Sequence, residues 1–302
     1  EAFEKRFPGI TLNITIDLSK YHDGAFDQDL VNNNVQIDSI ILQTLHDFPR
    51  WAQEGALLNY APAGFNAIDP AFKDTDAAWY GVYIYSWSIV SSASKLANGT
   101  TVAEFTDFLK PELKDKIVLT YPNDDDAVLY AFDLILRRYG TQWFDALLAQ
   151  NPKWVRGTAT PVHVIQNASF PHAATFTSDV RYDAVALEHV YPKEAPFVAW
   201  AQTAAIPANA PHPEGAKLLH NYLLSPEFQA TTGWQVRNDL PLPQGFPYPP
   251  LANVTQTSAP AFARWIEDRG RVERLRFWFE RRLGTAQGVS PLIDATGDQP
   301  RY

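Results

Sequence analysis

The chain contains no cysteine and no methionine among its 302 residues. Without cysteine there are no disulfides, no zinc–thiolate or iron–sulfur sites and no thiol nucleophile, which removes a large block of chemistry at once. Without methionine, residue 1 is not an initiator, and the expectation is a processed chain or a piece of a longer one. Basic residues are scarce: 25 Lys and Arg against 34 Asp and Glu give a net charge of −9 and a pI near 5.2. That balance offers no cationic surface for phosphate backbones or anionic lipids, so neither nucleic acid nor membrane is an expected partner. Long apolar runs are missing too. No window approaches 18 consecutive apolar residues, and the opening Glu1-Ala2-Phe3-Glu4-Lys5-Arg6 lacks the apolar stretch of a signal peptide. The 7 histidines fall into no HxH or HExxH spacing, and there is no G-x-S-x-G elbow.

What is present is core-forming material. Apolar residues make up 46% and aromatics 13%, with 9 Trp, 13 Tyr and 18 Phe. A chain of this length favours two compact domains and can bury roughly three quarters of its unfolded surface. The N-terminal third reads as alternating helix and strand. Gly9 stops a first helix, and Ile10-Thr11-Leu12-Asn13-Ile14-Thr15-Ile16 alternates strictly, as a half-buried strand does. A helix over 23–33 and a nearly continuous apolar strand over 35–43 follow, the pattern of parallel βαβ units. Because such a unit normally opens on a strand, an upstream strand is expected to be missing.

Residues 79–90 form a run of β-branched and aromatic residues that predicts a buried strand or pair of strands. A second α/β series comes next. The strand 116–120 leads through Tyr121-Pro122-Asn123-Asp124-Asp125-Asp126 into a helix whose Val128, Phe132, Ile135, Leu136 and Tyr139 lie at 3.6-residue spacing, closed by Gly140. Arg156-Gly157-Thr158-Ala159-Thr160-Pro161 reads as another helix start with proline in the first turn. Residues 196–207 repeat the extended aromatic character of 79–90, so the chain is expected to cross twice between two lobes. These are 1–84 with 203–302, lacking its first strand, and 85–202. The Pro-rich stretch 240–250 reads as a surface loop. One last amphipathic helix, carrying Trp265, Val272, Leu275, Trp278, Phe279 and Leu283, is expected to dock on the first lobe. N-x-[ST] sequons at Asn13, Asn98, Asn167 and Asn253 are glycosylation candidates or chance matches.

Taken in order, several short segments resemble a known family. Phe3-Glu4-Lys5-Arg6-Phe7-Pro8-Gly9-Ile10, Trp51-Ala52-Gln53-Glu54-Gly55-Ala56-Leu57-Leu58, Trp79-Tyr80-Gly81-Val82-Tyr83, and Ala204-Ala205-Ile206-Pro207 with His212-Pro213-Glu214-Gly215-Ala216-Lys217-Leu218-Leu219 and Leu224-Ser225-Pro226-Glu227-Phe228-Gln229 are similar to the type II periplasmic-binding-like proteins. The branch is that of extracellular solute-binding components of ABC importers related to iron and polyamine binders. The resemblance implies an α/β fold of two lobes forming a clamshell. Each lobe would be a mixed sheet flanked by helices, with two hinge crossovers closing on a small solute in the interlobe cleft. It further implies a secreted, extracellular or periplasmic protein, a small-molecule or metal-ion ligand, an importer permease as partner, no cofactor and a monomer.

In open α/β sheets, ligands lie beyond the carboxyl ends of strands, at helix N-termini. That rule selects Asn123, Asp124, Asp125 and Asp126, and also Arg156, Gly157 and Thr158. Three carboxylates at a helix start repel an anion and favour a cationic, metal-bearing or polyhydroxylated ligand, or else they cap the helix. Arg156 is placed for a bidentate carboxylate contact or for the surface. Tyr85, Ser86 and Trp87 at the end of the first crossover, and Trp200 in the second, offer aromatic walls and a hydroxyl, or else belong to the core. The adjacent tyrosine pair of the family's iron binders is not present, since Tyr191 is followed by Pro192. The leading reading is a non-enzymatic solute-binding protein. The alternatives are an enzyme on the same fold using paired carboxylates such as Asp124 and Asp126, and a secreted eukaryotic binding or interaction protein without a transporter.

Overall fold

Helix α1 (Ala2–Arg6) ends in a turn through Gly9, and α2 (Ser19–Val31), β1 (Ile40–Leu42), α3 (Asp47–Gln53), β2 (Tyr80–Ser86) and β3 (Ser88–Ser91) follow. Next come β4 (Val118–Thr120), α4 (Asp126–Tyr139), α5 (Thr141–Ala149), β5 (Lys153–Val155), α6 (Thr160–Gln166), β6 (Ala174–Thr177) and β7 (Glu188–Val190). The chain continues through β8 (Ala199–Ala205), α7 (Pro213–Leu223), α8 (Pro226–Gln229), α9 (Ala259–Glu267) and α10 (Arg269–Leu283). This is a computed structural model, and it describes residues 2–97, 99–177 and 187–288. Those residues form two compact units, the first from 2–85 and 200–254, the second from 86–199 and 255–288.

The first unit is built on a three-stranded sheet in the order β1-β8-β2. Strand β1 runs antiparallel to β8, with Ile40 opposite Ala205 and Leu42 opposite Thr203. All seven residues of β8 are buried, and their small side chains admit close neighbours: a Cβ on Gly81 would lie 2.9 Å from that of Ala201. Phe26, Phe48, Trp51, Ile40, Leu42 and Leu57 pack beside this sheet, with the Phe26 and Trp51 rings edge to face at 5.0 Å. Burying each of these large side chains contributes about 1.5–3 kcal/mol.

The strand expected over 10–16 is not formed. A lone alternating segment needs a neighbour to satisfy its backbone groups, and none pairs with it among the described residues. Ile14 and Ile16 therefore stay 63% and 70% exposed. Asn13, in the same segment, is exposed as expected, and so are Asn167 and Asn253, while Asn98 lies outside the described residues.

In the second unit β3 lies between β6 and β7, antiparallel to both, and β4 pairs with β5 in parallel. A parallel bridge from Ile117 to Ala174 links the two sheets. Helix α4 covers the core with the predicted face, and Gly140 ends it at φ 75°, a left-handed conformation that costs glycine little. Phe132 is the hub, within 5.9 Å of the rings of Phe144, Phe176 and Phe279.

Phe279 brings a correction. The last helix is two helices, broken at Asp268, whose side chain accepts the Arg271 N–H and caps α10. Both join the second unit rather than the first. Trp265 Nε1 donates to Asp133 Oδ2 on α4 at 2.7 Å, and the fully buried Phe279 fills the space between Phe132 and Phe144. The chain therefore passes between units three times, at 85/86, 199/200 and 254/255, not twice. The first two junctions place Tyr85 and Trp200, expected in the second lobe, in the first unit.

Candidate functional site

The pairing directions of the second unit's strands decide which ends meet. Because β6 is linked in parallel to β4, and β4 to β5, their carboxyl ends lie along one edge. Antiparallel pairing then brings the start of β3 and the end of β7 to that same edge. Nine of the residues that sequence selects meet here: Ser86, Trp87, Asn123, Asp124, Asp125, Asp126, Arg156, Gly157 and Thr158. Tyr85 and Trp200 belong to the first unit.

Each charged member of this edge is engaged within the protein. The Arg156 guanidinium donates to both oxygens of Asp124, Nε at 2.8 Å and Nη2 at 3.2 Å, and both side chains are largely buried. Asp125 is the N-cap of α4, one oxygen accepting the N–H groups of Ala127 at 2.8 Å and Val128 at 3.0 Å. Burial, opposed by those two hydrogen bonds and reinforced by the adjacent aspartates, pushes its carboxyl up to about 6. Asp126 is buried against two guanidiniums from α10, Arg269 at 2.9 Å and Arg276 at 2.5 Å, which also meet Glu273.

The uncharged members are arranged around backbone turns. Gly157 has φ 77°, and its carbonyl accepts the Thr120 hydroxyl at 2.9 Å, while the Thr158 carbonyl accepts that of Thr177. Ser86 and Tyr191 share a hydrogen bond between hydroxyls at 2.5 Å. Asn123 donates from Nδ2 to the Gly284 carbonyl at 3.0 Å, and its buried Oδ1 has no partner among the described residues. Trp87 is buried, its backbone N–H on the Val198 carbonyl.

Two residues of this region were not selected from sequence. Ser88 stands opposite Thr177 in the β3–β6 register, and Thr175 lies two residues back on the same strand face. Both are at least nine-tenths buried, and neither hydroxyl has a hydrogen-bond partner among the described residues. An unmet buried hydroxyl costs about 1–3 kcal/mol. The signal was present as isolated hydroxyls inside apolar strands, Ser88 between Trp87 and Ile89, and Thr175 beside Phe176.

The first unit has its own edge at the carboxyl end of β1, where the opposite strand β8 begins. Trp200 Nε1 donates to Gln202 Oε1 at 2.8 Å, and the half-buried Tyr85 ring lies over Trp200 at 5.3 Å with 33° between planes. Thr44, just past β1, is buried and its hydroxyl has no partner among the described residues. Asp47 follows at the start of α3, held by Arg50 at 2.9 Å. Among the described residues no group of three or more His, Asp or Glu side chains is placed to hold a metal ion, and no helix is long and apolar enough to cross a membrane.

Comparison with known proteins agrees with this architecture. Residues 37–244 match the family model described as bacterial extracellular solute-binding protein. The spermidine/putrescine-binding periplasmic protein of Salmonella typhimurium is 24% identical over 265 residues, covering 78% of this chain. Its Escherichia coli counterpart is 24% identical over 258 residues. The chain spans 66% of the length of these curated relatives. Among solved structures, the periplasmic binding protein AfuA from Actinobacillus pleuropneumoniae, with fructose-6-phosphate bound, superposes with a TM-score of 0.73 at 18% identity, over 94% of this chain and 93% of that one. Iron-bound HitA from Pseudomonas aeruginosa gives 0.67 at 14%, over 92% and 93%. The substrate-binding protein of an ABC transporter from Agrobacterium tumefaciens gives 0.76 at 13%, over 93% and 88%. At such identities the structures share a fold, and their ligands differ widely. The mixed α/β fold is that of the periplasmic binding proteins, and with more than half of its length inside the family model this chain belongs to the bacterial extracellular solute-binding proteins.

Proposed function

We propose that the protein binds one small solute outside the cytoplasm, in the periplasm or at the cell exterior, and hands it unchanged to the permease of an ABC importer. The observation that carries this reading is the edge of the second unit. There, at the strand ends where open α/β sheets receive ligands, the Ser88 and Thr175 hydroxyls and Asn123 Oδ1 are buried without partners among the described residues, beside Ser86, Gly157 and Thr158. The residues proposed to contact the solute are those nine of the second unit's edge together with Ser88, and Tyr85 and Trp200 in the first unit.

An enzymatic reading finds one arrangement to weigh. In the first unit Ser39 Oγ lies 2.7 Å from His220 Nε2, and the Tyr80 hydroxyl lies 2.6 Å from Nδ1. A nucleophile–base pair needs an imidazole able to take a proton near neutral pH. Burial drives His220 down to about 3, so it stays neutral and links two hydroxyls. The binding reading is preferred on that ground.

Native mass spectrometry and thermal unfolding of the full chain, incubated with a library of water-soluble metabolites, test the proposal. The expected result is one bound mass per chain, a raised Tm, and the solute recovered intact. A chemically altered solute, or no bound mass with an unchanged Tm, overturns it.

A further inference from the structure

The charged receptors of the second unit's edge are spent inside the protein, and this bears on the kind of solute, given the solute-binding reading above. A polyamine or metal cation needs carboxylates to spare. Here Asp124 is matched by Arg156, and Asp126 with Glu273 is matched by Arg269 and Arg276. The remaining carboxylate, Asp125, has one oxygen occupied by two backbone N–H groups of its own helix. An anion needs a guanidinium or an open helix N-terminus. Among the described residues of this edge the guanidiniums are the ones just named, and Asp125 already fills the first turn of α4, the long helix at this edge.

Among the described residues of this edge, what remains unmet is uncharged. Ser88 Oγ and Thr175 Oγ1 can each donate and accept, and Asn123 Oδ1 accepts. Ser86 and Tyr191 add a second pair of hydroxyls 2.5 Å apart. The first unit's edge offers the Thr44 hydroxyl, without a partner among the described residues, and the Tyr85–Trp200 ring pair at 5.3 Å. Its carboxylate, Asp47, shares Arg50 with Asp27, and Asp47 Oδ2 is buried without a hydrogen-bond partner among the described residues. Hydroxyl and amide groups match a ligand that presents many hydroxyls on a C–H framework, and few precisely placed polar groups suffice for orientation.

We propose that the solute is an uncharged, hydroxyl-rich small molecule, a sugar or a polyol, bound at the second unit's edge through Ser88, Thr175 and Asn123. The charged residues of the edge position these groups and do not pair with the ligand.

Thermal unfolding and titration calorimetry of the full chain test this with named probes. The neutral probes are D-glucose, D-fructose, D-mannitol and myo-inositol; the charged ones are spermidine, putrescine, fructose-6-phosphate and ferric citrate. At least one neutral probe is expected to raise Tm by several degrees, with a dissociation constant unchanged within about twofold between low and high salt, since no ion pair is there to be screened. Ser88→Ala and Asn123→Ala are each expected to weaken that probe at least tenfold while the unliganded Tm holds within about 2 °C. A response to charged probes alone, or salt-sensitive binding, overturns the ligand class and leaves the solute-binding reading standing. Silence from all eight probes counts against both. Binding of a neutral probe that survives both alanine substitutions places it elsewhere and overturns the assignment of these residues.

Discussion

In the first unit Asp27 and Asp47 share one guanidinium, that of Arg50, with Asp23 next to both carboxylates, whereas in the second Asp126 and Glu273 share two, those of Arg269 and Arg276. The acidic cluster is short of positive charge, so burial first and the neighbouring Asp47 second push the Asp23 carboxyl up to about 7. A proton does there what arginine does in the second unit. Two solutions to the same desolvation cost therefore respond differently to pH and to mutation.

The largest expected effect is on the arginine side. Asp126→Ala leaves two guanidiniums facing a buried gap and is expected to destabilise the second unit by about 2–4 kcal/mol, below the full buried-pair cost because both arginines are partly solvated. Chemical denaturation read by the fluorescence of Trp265 and Trp278 measures it. A loss under about 0.5 kcal/mol would mean these pairs behave as surface bridges.

His220 sharpens the contrast from the other direction. Its folded-state value lies below the unfolded one, so its contribution is complete above about 6.5 and is lost as pH falls toward about 3. The slope reaches at most about 1.4 kcal/mol per pH unit. His220→Gln is expected to flatten the acid side of the stability profile, and an unchanged slope would show that the histidine does not carry it.

Asp23 has the opposite sign. With its folded value raised, its contribution is complete below about 4 and is lost as pH rises through about 7. Asp23→Asn is accordingly expected to stabilise α2 and α3 by about 1 kcal/mol at pH 8 and to change nothing at pH 4, as hydrogen exchange in those helices would report. Equal effects at both pH values would remove the shared-proton account. The smallest effect belongs to Asp125→Asn, which keeps a good N-cap and removes a buried charge; at pH 8 a Tm gain of about 1–3 °C is expected, vanishing near pH 4.

These comparisons also show what the sequence could reveal. Local rules located α4 from its 3.6-residue spacing and its stop at Gly140, and they located the two successive strands of the run 79–90, because those signals act over a few residues. The edge of the second unit was legible because strand ends and helix starts are local too. The partners of the aspartates were not. Arg269 and Arg276 stand 143 and 150 residues from Asp126, so nothing near the aspartate distinguished a ligand-facing run from an internally neutralised one. The same distance hid the docking of α10. The alternating segment 10–16 misled because alternation reports a tendency, while a strand needs a neighbour to bond.

The placement of Phe279 also has a consequence for how the chain is made. Phe132 must wait for a ring 147 positions further on before its surroundings close, and the sheet of the first unit likewise waits for β8. During synthesis neither half can finish early, and the half that begins second is the last to be sealed. Such long-range closure slows folding and leaves apolar surface open meanwhile. A nascent chain of this kind spends much of its translation unable to lock its cores.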